Sequence, residues 1–159
     1  MGLDIYTNVY NRNELDECQE HNKEIEAEAK KQGIEPDYEK FRHAEPIKEF
    51  YFRKVNALVK WVENNVGAVE NCEMMELKKE HIEKLYHDLK TDTDFNELTD
   101  DDKQEIIQNF GTKSGFFFGS TYYDEWYWMG VEEVRKMASY LLKNVDFETN
   151  TVQFYHPSP

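Results

Sequence analysis

Cysteine and arginine are scarce in this chain, and long hydrophobic runs are missing. Only Cys18 and Cys72 occur in 159 residues. Two cysteines do not make a disulfide framework, so the core is expected to hold without staples. Reduced thiols are the expectation, with a single Cys18–Cys72 bridge as the alternative. No stretch approaches the ~20 apolar residues that a membrane span needs. The opening MGLDIYTNVY has no basic segment and places Asp4 early, so no secretory leader is expected. Position 6 is Tyr6 rather than the Ser or Thr of an N-myristoylation signal. There is no internal repeat and no Pro/Gly/Ser-rich linker. Positive charge is short as well: 19 Lys and Arg face 33 Asp and Glu, a formal net charge of −14. Such a field repels nucleic acid and anionic lipid and attracts basic partners. The arginines are Arg12, Arg42, Arg53 and Arg135, a supply that weighs against a pocket built to grip phosphate.

What is present is aromatic and acidic. Aromatics make up 14% of the chain, apolar residues 39% and charged residues 33%. Disordered chains carry few aromatics, so a folded domain is expected. The length suits one domain over residues 1–159, able to bury about 70% of its unfolded surface. Charge is uneven along it. Residues 14–50 hold 12 acids and 6 bases, and residues 91–110 hold 7 acids and 1 base. Residues 51–66, by contrast, are net +2.

Periodicity gives a coarse outline. Leu3, Ile5 and Thr7 alternate with polar neighbours, which predicts a strand over 3–10. Asn13, with Asp16 three residues on, suits a helix cap. The helix should run to Gln32 and stop at Gly33. Its apolar stripe is thin (Leu15, Cys18, Ile25, Ala29), so an acidic helix around 13–32 is expected to project from the body with most of its surface wet. Pro36 and Pro46 mark a loop over 34–46. Ile47, Phe50, Tyr51, Val55, Leu58, Val59, Val62 and Val66 predict a core helix over 46–66. A short strand over 71–77 and a helix over 78–90 follow. Thr99 with Asp102 reads as a capping box for a helix over 99–109. Phe116–Phe118 suggests a short buried strand. Residues 124–128 suggest a helical turn, and residues 130–145 a separate helix. Thr151 to Tyr155 alternates again and is expected to pair beside the first strand. The whole is α+β: a small, mostly antiparallel sheet including the N- and C-terminal strands, packed with four to five helices.

Catalytic motifs fail on inspection. Cys18 and His21 share a helix face but lack a second ligand pair, and His81 and His87 are out of helical register. Residues 92–103 resemble a calcium loop at Asp92, Asp94 and Asn96. That match breaks at Glu97, where Gly is needed, and at Lys103, where Glu is needed. GTKSG at 111–115 has the letters of a phosphate loop in the wrong order. No signature pairs a nucleophile with a base. The expectation is a protein that is not an enzyme, with no metal and no cofactor.

Two features suit binding. Glu14, Glu17, Glu20, Glu24 and Glu28 recur at helical steps, about 5–6 Å apart, either as a solvated face or as an imitation of a phosphate row. Tyr122, Tyr123, Trp126, Tyr127 and Trp128 either fill the core around glycines or form an exposed patch that docks a protein. Stacking on nucleic acid fits poorly with the net charge.

Three segments together resemble a group of small acidic bacteriophage proteins: MGLDIY, FYFRKVNALVKWVENNVGAVENC at 50–72, and GFFFGSTYYDEWYW at 115–128. In length and acidity the chain is also similar to phage-borne anti-CRISPR proteins that inhibit type II effector nucleases. The resemblance implies a non-enzymatic inhibitor in the cytoplasm of the bacterial host. It would bind the nuclease as a monomer, without contacting nucleic acid or membrane. Two acidic patches around a more neutral body, with an aromatic segment for anchoring, favour a block of cleavage through the nuclease domain. The alternatives are a DNA mimic in the DNA channel and a phage protein that sequesters a nucleotide immune signal. The residues expected at the partner surface are Glu17, Glu20, Glu24, Glu28, Asp100, Asp101, Tyr122, Tyr123, Trp126 and Trp128.

Overall fold

The computed structural model describes residues 2–70, 72–115 and 117–157. Its centre is β1 (Asp4–Asn11), in which Ile5, Thr7 and Val9 are buried on one face. β1 pairs antiparallel with β2 (Lys48–Arg53) on one side and with β4 (Asn150–Tyr155) on the other. A short β3 (Met75–Leu77) adds to β4, giving an antiparallel sheet of order β2-β1-β4-β3. The register sets Ile5 opposite Phe52 and Val9 opposite Val152, so apolar side chains from three strands share the core face.

The helices α2 (Asn56–Asn65), α3 (Lys79–Asp88), α4 (Asp100–Asn109) and α5 (Glu125–Asn144) bury Leu58, Val62, Ile82, Leu85, Ile106, Val134 and Met137 in the same core. The α+β class and the terminal strands are as the periodicity predicts. The Thr99–Asp102 box is present: Asp102 N–H donates to Thr99 Oγ1 at 3.1 Å, and Thr99 N–H donates to Asp102 Oδ2 at 3.0 Å. Those bonds hold the Asp102 carboxyl below its ordinary pKa, the Thr99 backbone bond first.

α1 (Arg12–Gln32) ends on Gly33 in the left-handed conformation, as expected. Its cap is Asn11 rather than Asn13: Asn11 Oδ1 accepts from Glu14 N–H at 2.9 Å. α1 buries Leu15, Cys18 and Ala29, none of which belongs to the main core cluster. The helix is anchored at its start. There the Arg12 guanidinium donates to Glu76 at 2.6 Å and to the Phe147 and Asn150 carbonyls.

Three further expectations need correction. The helix over 46–66 is a strand followed by a shorter helix. Phe50 and Phe52 satisfy a two-residue period as well as a helical one, and pairing with β1 decides between them. The turn at 124–128 and the helix at 130–145 are one helix, capped by Asp124, whose Oδ1 accepts from Tyr127 N–H at 3.1 Å. Gly130 does not break it; a Cβ there would lie 3.4 Å from Val55, so the glycine lets α5 approach the β2–α2 corner. The strand expected at Phe116–Phe118 is absent among the described residues: Phe117 is in the left-handed region, φ 63°, and Phe116 lies outside the description, as does Asn71 of the strand expected over 71–77. No helix among the described residues is long and apolar enough to cross a membrane.

Candidate functional site

A concavity lies where β2 turns into α2. Lys54 makes the turn with φ 57°, a conformation unusual for a residue other than glycine. Its N–H donates to the Leu3 carbonyl at 2.7 Å. Asn56 follows, buried at the start of α2. Its Nδ2 donates to the carbonyls of Phe118 and Ser120, each at 3.0 Å, and its Oδ1 accepts from Lys113 N–H at 2.9 Å. One buried side chain thus holds both arms of the glycine-rich loop over 111–123. A second tie crosses the loop, from Thr112 Oγ1 to the Thr121 carbonyl at 2.9 Å. Gly119 has φ 92°, and a Cβ there would lie 3.1 Å from Lys54 Cβ. The lysine stem therefore runs across a position that only glycine leaves open.

Between this loop, the corner and the start of α5 lies a cleft of about 580 Å³. Val55, Ala57, Phe110 and Gly130 give it an apolar floor. Tyr51, Tyr122, Trp126 and Tyr127 supply ring faces and edges. Tyr122 and Trp126 are 76% and 74% exposed. Tyr127 is held by a bond from its hydroxyl to the Phe110 carbonyl at 2.6 Å, and burial raises its pKa. Tyr123 is set edge-on to Tyr127, ring centroids 4.8 Å apart. Its hydroxyl accepts from Thr112 N–H at 3.2 Å, and its bonding with Thr112 lowers its pKa. Arg53 and Lys54 stand on the β2 side of the cleft, and Asp124 and Glu133 on the α5 side. Neither cation forms an ion pair among the described residues.

The residues expected at a partner surface fall in three places. Tyr122 and Trp126 share the cleft, with Tyr123 in the same loop. Trp128 is turned into the body: it is half-buried, 6.2 Å from Phe95 and 4.8 Å from Tyr127 between ring centroids, with Lys103 Nζ 5.5 Å from its ring. Glu17, Glu20, Glu24 and Glu28 are all exposed on α1, which leaves β1 at the end away from the cleft. Asp100 and Asp101 are exposed in the first turn of α4. The fold therefore does not join the acids to the aromatics. Tyr51, Arg53, Lys54 and Asn56 were not among the expected site residues. Their signal was the net positive stretch over 51–66 in a strongly acidic chain.

Among the described residues, no group of three or more His, Cys, Asp or Glu converges to hold a metal. No protein-family model, curated protein or solved structure matches the chain.

Proposed function

We propose that the chain is a binding protein rather than an enzyme, and that its acidic surface docks on a strongly basic bacterial protein. The resemblance of its three segments to small phage proteins suggests the partner, a type II CRISPR effector nuclease in the host cytoplasm. The observation that carries the reading is α1. Glu17, Glu20, Glu24 and Glu28 are exposed, and none forms an ion pair among the described residues. The helix buries only residues outside the main core. Folding leaves this charged face exposed, with Glu28 accepting a bond from Gln32 Nε2 at 2.9 Å, and an exposed acidic face speeds encounter with a basic partner.

Nuclease-domain block is favoured over DNA mimicry because the acids sit in separate patches on α1 and α4 rather than in one continuous track. Sequence recognition and nuclease docking are distinct steps in such effectors, so blocking the second leaves DNA binding in place. A mobility-shift assay beside a cleavage assay at matched concentrations tests this. Cleavage should fall much further than DNA binding, and an inhibitor–nuclease–DNA complex should form. Replacing Glu17, Glu20, Glu24 and Glu28 together by Gln should slow association by about tenfold or more at low salt, with folding unchanged. Loss of DNA binding at the concentration that just stops cleavage would favour mimicry instead. No association with any basic nuclease would end the reading.

A further inference from the structure

The cleft plays no part in the charge argument for α1, and its chemistry differs from the rest of the surface. We infer that it is a binding site for a nucleoside phosphate, with the base against Trp126 and Tyr122 and the phosphate on Arg53 and Lys54. This inference stands independently of the nuclease reading.

Four observations converge on it. A volume of about 580 Å³ is in the range of small-molecule sites, and the floor is apolar. Two large aromatic side chains at its rim are about three-quarters exposed, at 76% for Tyr122 and 74% for Trp126. Both are carried on fixed backbone: Tyr122 N–H donates to Ser120 Oγ at 3.0 Å, and Trp126 sits in the first turn of a capped helix. Such faces stack on any base. The third observation is the placement of cations. In a chain of net charge −14, Arg53 and Lys54 are exposed and adjacent, and neither forms an ion pair among the described residues; Arg53 stands beside the Tyr51 hydroxyl and across the strands from Asp4. Lys54 holds a left-handed backbone conformation, and its stem lies across Gly119, so its direction is set by the fold. Positive φ at a lysine costs free energy that the surrounding structure must offset, and such positions cluster at binding sites.

The fourth observation separates ligand classes. Glu133 of α5 and the α5 cap Asp124, one of whose oxygens is committed to Tyr127 N–H, also line the cleft. A simple anion would meet the carboxylates, and a basic peptide would meet Arg53 and Lys54. A nucleoside phosphate uses every part: phosphate toward the cations, ring toward the aromatics, and amino or hydroxyl donors toward the carboxylates. The overall negative field disfavours a polynucleotide, whose charge grows with length, far more than a mononucleotide.

The test is titration of the full chain with AMP, CMP, GMP and UMP, the matching nucleosides, inorganic phosphate, a short oligonucleotide and an Arg/Lys-rich peptide. Binding is read by calorimetry and by tryptophan fluorescence, to which Trp126 contributes from an exposed position. At least one mononucleotide should bind saturably and change the fluorescence. Its nucleoside should bind more weakly, and inorganic phosphate should leave the fluorescence unchanged. Trp126→Ala should weaken that nucleotide by about tenfold or more. Arg53→Gln with Lys54→Gln should bring nucleotide affinity down to that of the nucleoside. All three side chains are exposed, so an unchanged melting temperature certifies each variant. The inference is overturned if no mononucleotide binds at millimolar concentration, or if Trp126→Ala binds like the parent chain. Tighter binding of the oligonucleotide reassigns the cleft to a strand, and binding of the peptide alone reassigns it to a basic protein segment. None of these outcomes bears on the nuclease reading, which is measured on the α1 variants.

Discussion

Asn22 and Asn56 each hold a loop against a helix, one in contact with water and the other in the interior. On α1, Asn22 Nδ2 donates to the Arg42 carbonyl and Asn22 Oδ1 accepts from Arg42 N–H, both at 2.8 Å. His21 Nε2 adds a contact to the Lys40 carbonyl at 3.0 Å. At the start of α2, Asn56 makes three bonds to the loop over 111–123 and is only 3% exposed. The bonding patterns are alike, but their consequences differ. When a partner is removed near water, the freed backbone groups are solvated; in the interior they stay unpaired and carry the full desolvation penalty. The acidic end of the molecule can therefore vary its charge and its loop at little cost in stability. The cleft end is less tolerant, because the side chain that organises it is buried and its bonds to the loop are partly shielded from water. Encounter with a charged partner needs only the first kind of surface, whereas recognition of a small ligand needs the second.

The largest effect is expected from removing Asn56. Asn56→Ala leaves two carbonyls and one N–H of the loop without their partner, and should cost about 2–3 kcal/mol of stability. Denaturant unfolding measures the loss. Amide hydrogen exchange should show faster exchange confined to the loop over 111–123 and the start of α5, because the tie from Thr112 to Thr121 remains. If the variant is as stable as the parent chain, burial of the clamp is not what orders the cleft.

The fold was legible where one local rule suffices. Alternation marks β1 and β4, Gly33 marks the end of α1, and the Thr99–Asp102 box marks α4. It was illegible where two rules compete. Phe50, Tyr51 and Val55 fit a helix and a strand equally, and the pairing of Tyr51 with Tyr6, far away in the chain, decides. Gly130 reads as a break but is a notch for Val55. Of the site, the aromatic rim was visible, since Tyr122 and Trp126 stand in an aromatic cluster. Its partner wall was not. Arg53 and Lys54 meet that rim only because a buried Asn56 folds the loop back, and no local pattern distinguishes Asn56 from the other asparagines.

A smaller effect is expected where α1 meets the sheet. Arg12 ties the start of α1 to Glu76 of β3, and Thr151 Oγ1 donates to the same carboxylate oxygen at 2.9 Å. Burial pushes the Glu76 pKa up, but the bonds from Arg12 and Thr151 outweigh it and hold the carboxyl below its ordinary value. A carboxyl whose folded pKa is depressed adds stability above its unfolded pKa, about 4.3 for Glu, and loses it as pH falls through the folded value. Acid unfolding should therefore show a contribution below that pH which Glu76→Gln removes. Both side chains are about a third exposed, at 36% and 31%, so solvent screening limits the effect to about 1 kcal/mol or less. Far-ultraviolet circular dichroism during acid titration of the two proteins measures it. Identical acid limbs would show that the Arg12–Glu76 pair adds nothing to the seating of α1 beyond its apolar contacts and the Arg12 bonds to the Phe147 and Asn150 carbonyls.

The smallest effect is expected at Asn22. Asn22→Ala removes both bonds to Arg42, but those groups lie where water replaces the lost partner. Alanine also favours the helix interior more than asparagine by up to about 0.7 kcal/mol, which offsets part of the loss. The net change in unfolding free energy should stay within about 0.5 kcal/mol of zero. Local order should nevertheless change: the Arg42 amide should exchange freely, and protease cleavage within 34–46 should quicken. Amides of the loop over 111–123 should keep the protection of the parent chain, because Asn56 is untouched. A stability loss equal to that of Asn56→Ala would mean that burial does not set the value of these clamps. The loop over 34–46 would then have to be counted as part of the cooperative structure, and the acidic end could no longer be treated as free to change.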